Sequence, residues 1–253
     1  MATQTKPLTP ITLNSRARRW LHFLRLTPLH PQFFAYKYEQ LRYVIAGQHC
    51  KGRVLDIGCG RQPLKEHITP ACDYISMDYP STAGAYNALP AVLGDAMQLP
   101  FAGETFDTVV LLEVIEHLPL PLLALQEAFR ILKPNGTIIL STPFIYPIHD
   151  APYDYQRWTR HGIEELSKNS QLDIDKLYPL GGSLESSTLL FNLGFAWEAL
   201  HAKGLQRIIL LVLTATLAPL FNCIAIIFTS LRRDQSASPF SIGYLSVLRK
   251  KHV

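Results

Sequence analysis

Gly58 and Gly60 stand in the string Val54-Leu55-Asp56-Ile57-Gly58-Cys59-Gly60, which runs from an apolar segment into a turn. Glycines at such a turn let the backbone adopt positive φ and approach a ligand closely. A dinucleotide site would continue as G-x-G-x-x-G, but Pro63 occupies the place of the last glycine. Asp56 just ahead of the turn would also repel a pyrophosphate. An acid beside a glycine turn suits a ligand that lacks phosphate and carries an ammonium group.

S-adenosylmethionine fits that description, with its amino-acid end, ribose and adenine. Asp78 closes the short apolar string Tyr74-Ile75-Ser76-Met77-Asp78, where a carboxylate can accept both ribose hydroxyls. Asp95, in Gly94-Asp95-Ala96-Met97, can accept from the adenine amino group. Glu113 ends the run from Phe106 beside the same crevice. All fall where successive parallel strands should end, the edge at which open α/β sheets bind ligands.

A second group of reactive residues follows. Glu113-Val114-Ile115-Glu116-His117 comes directly after the Phe106 run, and residues 142–159 hold Tyr146, His149, Asp150, Tyr153, Asp154, Tyr155, Arg157 and Trp158. Asp154 and Arg157, three apart, read as an ion pair that shapes this loop. The cysteines, Cys50, Cys59, Cys72 and Cys223, show no zinc spacing, so no metal is expected, and a reducing compartment is.

The elements that must position these residues alternate between strand and helix. Phe34, Tyr38, Leu41 and Ile45 mark one helix face. Strands are expected at 53–57, 74–78, 106–114, 137–142, 172–180 and 243–250. Leu122, Leu125, Phe129 and Leu132 mark a helix stopped by Pro134, with a turn at Lys133-Pro134-Asn135-Gly136. A helix from Thr159 to Asn169 has Thr159 as its N-cap. The fold class is α/β with a mostly parallel sheet.

Five strings in order, VLDIGCG, YISMD, GDAMQLPF, FDTVVLLEVIEHLP and LKPNGTIILSTP, resemble the successive motifs of class I S-adenosylmethionine-dependent methyltransferases of the type 11 group. The resemblance covers about residues 50–180. It implies a Rossmann-like, seven-stranded sheet with helices on both faces. It implies Asp56, Gly58 and Gly60 at the amino-acid end of the cofactor and Asp78 at the ribose. Asp95 with the Ala96 backbone would hold the adenine, with Tyr79 and Met97 lining it. Gln62 departs from the small residue usual at its position. In that family the region after the fifth strand contacts the methyl acceptor, which implies Tyr146, Tyr153, Arg157 and Trp158 along it. The acceptor needs a base only when it is a weakly acidic hydroxyl or a protonated amine, and His149, then His117, is the expected base or acceptor-orienting group. The His149 loop resembles those of enzymes in bacterial surface-polysaccharide and lipid pathways.

The chain has 253 residues, of which 48% are apolar and 17% charged, with a net charge of +4. That charge is too small to argue for nucleic acid. Residues 1–49 read as a basic helical extension, in which Arg16, Arg18, Arg19 and Trp20 suit either a packed arm or a lipid surface. Residues 50–253 read as one methyltransferase domain with an apolar insertion at about 181–240. Ile208–Phe228 carries no charge, yet Pro219 and Asn222 interrupt it and basic residues flank both ends: Lys203 and Arg207 before, Arg232 and Arg233 after. The expectation is a pair of helices broken near Pro219, with an amphipathic stretch around Leu189–Leu200, dipping into one leaflet on the cytoplasmic face of a membrane; the alternatives are burial in a homodimer or over the acceptor pocket, and a true membrane span. A lipid-linked or small acceptor follows. The rivals are a nucleic-acid methyltransferase and a non-catalytic interaction module.

Overall fold

The computed structural model describes residues 23–87, 89–231 and 238–250. Arg16, Arg18, Arg19, Trp20, Arg232 and Arg233 lie outside the described residues. A seven-stranded sheet runs in the order β3-β2-β1-β4-β5-β7-β6. Its strands are β1 (Arg53–Ile57), β2 (Asp73–Asp78), β3 (Val92–Leu93), β4 (Phe106–Leu112), β5 (Leu132–Pro143), β6 (Leu172–Leu180) and β7 (Gly243–Lys250). β1 to β5 pair in parallel, and β7 enters antiparallel between β5 and β6. The strand order reverses between β1 and β4, which opens a crevice at their carboxyl ends.

β1 and β4 read as continuous apolar runs because both of their faces are covered. Leu55, Ile57, Val109 and Leu111 face one core, shared with Leu125, Ala128 and Leu166. Val54, Val110, Ile139 and Leu245 face the other, shared with Phe34, Tyr38 and Leu189. The helices on these faces are α1 (Phe33–His49), α2 (Pro80–Tyr86), α3 (Pro121–Ile131), α4 (Arg160–Asn169), α5 (Ser183–His201) and α6 (Gly204–Ser230). Thr159 caps α4 by accepting from the Gly162 amide at 3.0 Å, as its sequence position implies.

Several expectations are corrected. Leu41 is exposed, and Arg42 takes the inward place on α1 because it has an ionic partner below the helix. Leu122 likewise faces outward on α3. The Lys133–Gly136 turn lies within β5: Phe106 pairs with Leu132 and Thr108 with Thr137, so the intervening residues loop out, with Asn135 at φ 63°.

The insertion between β6 and β7 is a helical hairpin, but its bend is at Ala202-Lys203 and not at Pro219. Pro219 sits inside the continuous α6. A proline there removes one helical hydrogen bond, and packing against α5 holds the two halves in line. α6 turns Thr214, Ala218, Asn222 and Ala225 inward. Asn222 donates to the carbonyls of Pro28 at 2.8 Å and His30 at 3.0 Å, and accepts from Asn192 on α5 at 3.1 Å. The buried Glu185 of α5 accepts from Tyr38 at 2.6 Å and from Lys37 at 2.8 Å. These polar ties fix the hairpin to α1 and to the segment before it.

Candidate functional site

The crevice begins at the turn after β1. Gly58 has φ 70°, and a side chain there would place its Cβ 2.5 Å from Val114 Cγ2. Gly60 has φ 49°, and a Cβ there would meet nothing within 4 Å. The backbone at Gly60 therefore faces open space. The amides of Gly58 and Cys59 both donate to the Met77 carbonyl, at 2.9 and 3.1 Å, which ties the turn to β2. Gly60 then donates to Asp78 Oδ2 at 2.9 Å, and Tyr79 to Asp78 Oδ1 at 2.8 Å. Burial raises the Asp78 carboxyl above its usual range, and the two amide bonds oppose that rise. The Tyr79 ring is half exposed.

Beyond β3, Gly94 donates to the Asp78 carbonyl at 3.1 Å, which sets Asp95 beside Asp78. Asp95 Oδ1 accepts from the Met97 amide at 2.8 Å, and its carbonyl accepts from Gln98 at 3.0 Å. Ala96 is buried and Met97 half-buried in this turn. Asp56 shares its strand face with Val54, on the α1 side. It is buried and accepts from the Tyr74 hydroxyl at 2.6 Å. Burial pushes its carboxyl up to about 7; the charge of Asp78 adds to this and the Tyr74 bond opposes it.

At the end of β4, Glu113 has φ 56°. Its amide donates to the Ser141 carbonyl at 3.1 Å, and its Oε1 accepts from Ser141 Oγ at 3.0 Å and pairs with Arg42 at 2.9 Å. Arg42 was not singled out in the sequence. It stands between Leu41 and Tyr43, and only the fold brings it under the sheet edge.

Over this edge lies the loop after β5. The rings of His117 and His149 meet edge to face at 4.9 Å, with Tyr146 at 5.7 Å from His149. Asp154 and Arg157 form a two-pronged ion pair, one arm at 2.6 Å. The Arg157 hydrogen bond is the main cause that draws the Asp154 carboxyl down to about 2. Asp154 also accepts from the His149 amide at 2.8 Å, and Arg157 donates to the carbonyls of Tyr146 at 3.1 Å and Pro147 at 2.8 Å. Arg157 thus holds the loop together, and its guanidinium is committed there. Trp158 packs against the core and lies over Gly162. Of the four residues expected at the acceptor, Tyr146 and Tyr153 border the histidine pair, whereas Arg157 and Trp158 shape the loop from behind. His117 Nδ1 lies 3.0 Å from the Tyr153 carbonyl. Glu116, fully buried beneath His117, has no hydrogen-bond partner on either carboxylate oxygen.

An edge with exposed glycine backbone, two carboxylates at successive strand ends and a polar loop above can hold a nucleoside with an amino-acid tail and present a second molecule to it. Comparison with known proteins agrees. Residues 55–140 match the family model described as a methyltransferase domain. The ubiquinone biosynthesis O-methyltransferase of Azorhizobium caulinodans is 32% identical over 134 residues, 46% of this chain and 52% of that protein. The sterol 24-C-methyltransferase of Candida albicans is 27% identical over 155 residues, 56% of this chain and 39% of that protein. The chain spans about half the length of the first curated relatives it matches. Among solved structures, a chain from the complex of a Haloferax volcanii methyltransferase activator with a methyltransferase superposes with a TM-score of 0.50 at 15% identity. It covers 95% of this chain and 100% of that one. The open cradle at Gly60 and the paired carboxylates fit S-adenosylmethionine, the cofactor of this class. Residues 55–140 thus carry the match to the methyltransferase-domain model, and they sit in a seven-stranded Rossmann-like fold of the kind S-adenosylmethionine-dependent methyltransferases have.

Proposed function

We propose that the chain transfers the methyl group of S-adenosylmethionine to an oxygen or nitrogen of a small or lipid-linked acceptor, at the cytoplasmic face of a membrane. The observation that carries this reading is the single edge shared by Gly60, Asp78 and Asp95, overhung by the His117–His149 loop. Gly58, Gly60 and Asp56 would meet the amino-acid end, Asp78 the ribose, and Asp95 with Ala96 the adenine, bordered by Tyr79 and Met97. Glu113, held by Arg42 and Ser141, would set the floor beneath the methyl group.

The bound cofactor supplies a sulfonium methyl that is already electrophilic. The chain has to hold an acceptor atom in line with it and keep water away, so orientation dominates. His149, and next to it His117, is the group that faces the acceptor.

The hairpin supports the membrane part of the reading. α6 is the one helix among the described residues long and apolar enough to cross a membrane, and most of its apolar surface is uncovered. Leu205, Ile208, Ile209 and Val212 are at least half exposed, as is Trp197 on α5. Lys203 and Arg207 stand at the hairpin tip, where anionic headgroups favour them. The ties of Asn222 and Glu185 hold the hairpin along the domain and suit one that lies in the interface of a single leaflet, its charged tip among the headgroups. The names of two relatives, ubiquinone biosynthesis and sterol methylation, suit an apolar acceptor.

Calorimetric titration of S-adenosylmethionine and its demethylated product into the purified chain tests the first part. Micromolar binding, lost in Asp78→Ala, is expected; a folded chain that binds neither compound overturns the reading and leaves an interaction module.

A further inference from the structure

Glu116, His117 and His149 each turn one ligand atom into a common space, with all three atoms within 4.8 Å of one another. The chemistry facing that space is unusual. Glu116 is fully buried, and both its oxygens lack a partner. The proton of the neutral His117 ring belongs on Nδ1, which lies 3.0 Å from the Tyr153 carbonyl, an acceptor. That leaves Nε2 with a lone pair, 3.8 Å from Glu116 Oε1. An imidazole nitrogen and a carboxylate oxygen thus face the same space, where a cation would supply the partner that Glu116 lacks. Bonds of about 2.0–2.2 Å to nitrogen and oxygen place two ligand atoms about 3–4 Å apart; the Glu116–His117 pair already meets this, and the third ligand reaches it by closing about 1 Å on the ion.

The local charges leave room for it. Arg42 is paired with Glu113 and Arg157 with Asp154, so Glu116 is the carboxylate of this cluster without an ionic partner other than His117. A carbonyl that fixes the tautomer of a ligating histidine is also the usual support around a metal. The His149 ring is held on its Nδ1 side by Asp154 Oδ2 at 3.3 Å, the Pro147 carbonyl at 3.4 Å and Arg157 Nη2 at 3.4 Å.

We propose that Glu116, His117 and His149 form a divalent first-row metal site that receives the acceptor. Two imidazoles and one carboxylate suit zinc, iron or manganese and leave coordination positions open. An acceptor hydroxyl bound there loses its proton to solvent more easily. Its oxygen then forms the bond to the methyl carbon as the carbon–sulfur bond breaks, and the electron pair stays on sulfur. This role rests on the methyltransferase reading; the cation site itself does not. The sequence alone pointed away from a metal, because these ligands come from the ends of two different strands and share no zinc spacing.

The test uses tag-free, full-length protein stripped with a chelator and titrated calorimetrically with Mn²⁺ and, separately, with Zn²⁺. One equivalent per chain is expected. Glu116→Gln and His149→Ala should each weaken it by at least about tenfold, with S-adenosylmethionine affinity unchanged. His149 is on a half-buried loop, so its variant keeps the fold even if Glu116→Gln does not. Absence of stoichiometric binding, or equal binding by wild type and His149→Ala, overturns the site. Cofactor binding without cation binding sinks this inference alone; cation binding without cofactor binding sinks the methyltransferase reading and leaves the site standing.

Discussion

Arg42 of α1 reaches Glu113 at the end of β4 with 2.9 Å between guanidinium and carboxylate. The contact joins the helix before the methyltransferase motifs to the floor of the crevice. Both groups are mostly buried, and Glu113 sits in the left-handed region, so the pair holds a strained backbone position. Removing one partner leaves a buried charge unpaired. Arg42→Met should therefore lower stability by about 3 kcal/mol, read as a shift in urea midpoint. Adding Glu113→Gln should recover much of that loss. If the double variant is as unstable as the sum of the singles, the two residues do not act as a pair.

Asp56 makes stability depend on pH. Its carboxyl is pushed up to about 7 in the fold against 3.8 for the unfolded chain. Between those values the folded state holds a proton that the unfolded state has released. Stability from this group is thus full below about pH 4, declines as pH rises toward 7, and is flat above. Asp56→Asn should flatten the profile of unfolding free energy between pH 5 and 7. Tyr74→Phe removes the hydrogen bond that opposes the rise, so the decline should extend to higher pH. An unchanged profile in Asp56→Asn would assign the dependence to another group.

Much of the scaffold was readable from patterning. β6, β7 and the Thr159 cap follow from apolar alternation and a capping residue, which are local signals. The exchange of Leu41 for Arg42 was not readable, because the ion that draws Arg42 inward lies far along the chain. Pro219 misled for a related reason: its penalty is local, whereas packing along α5 and the Asn192–Asn222 bond are not. The places of Asp78 and Asp95 beside successive strand ends were legible in the sequence, and the structure puts them there. Glu116 was visible only as part of the string after β4, since its burial and missing partners are three-dimensional facts.

Asp78 ties the turn after β1 to the end of β2 by accepting from two amides, those of Gly60 and Tyr79. Asp78→Ala removes both anchors and the expected ribose acceptor together. Affinity for S-adenosylmethionine should fall by about 100-fold, as expected for lost hydrogen bonds to a charged group. Asp78→Asn keeps one oxygen and should lose less. Calorimetry reads both variants, and equal affinity in wild type and Asp78→Ala would move the ribose elsewhere.

His149 should separate acceptor chemistry from cofactor binding. It sits in the loop after β5, away from the Gly60 turn, and its position is fixed by Asp154 and Arg157. His149→Ala should reduce kcat by at least about 100-fold and leave the S-adenosylmethionine Kd as it was. Asp154→Asn frees the loop without removing the ring and should act chiefly on acceptor KM. Loss of cofactor affinity in His149→Ala would place this residue on the other side of the crevice.

The hairpin can be tested without unmaking the domain. Deleting α6 would strip cover from Leu189 and break the Asn222 bonds to Pro28 and His30, so loss of membrane binding could reflect unfolding. Leu205, Ile208 and Val212 avoid that difficulty, being 71%, 60% and 57% exposed. Burying a leucine-sized side chain contributes about 1.5–3 kcal/mol, so changing all three to Ser should weaken association with phosphatidylglycerol-containing vesicles by at least about 100-fold. The urea midpoint should stay where it was, because these side chains support nothing inside the fold. Arg207→Glu should weaken binding further on anionic vesicles and hardly at all on neutral ones. Vesicle binding that survives the triple substitution would exclude the hairpin tip as the membrane contact.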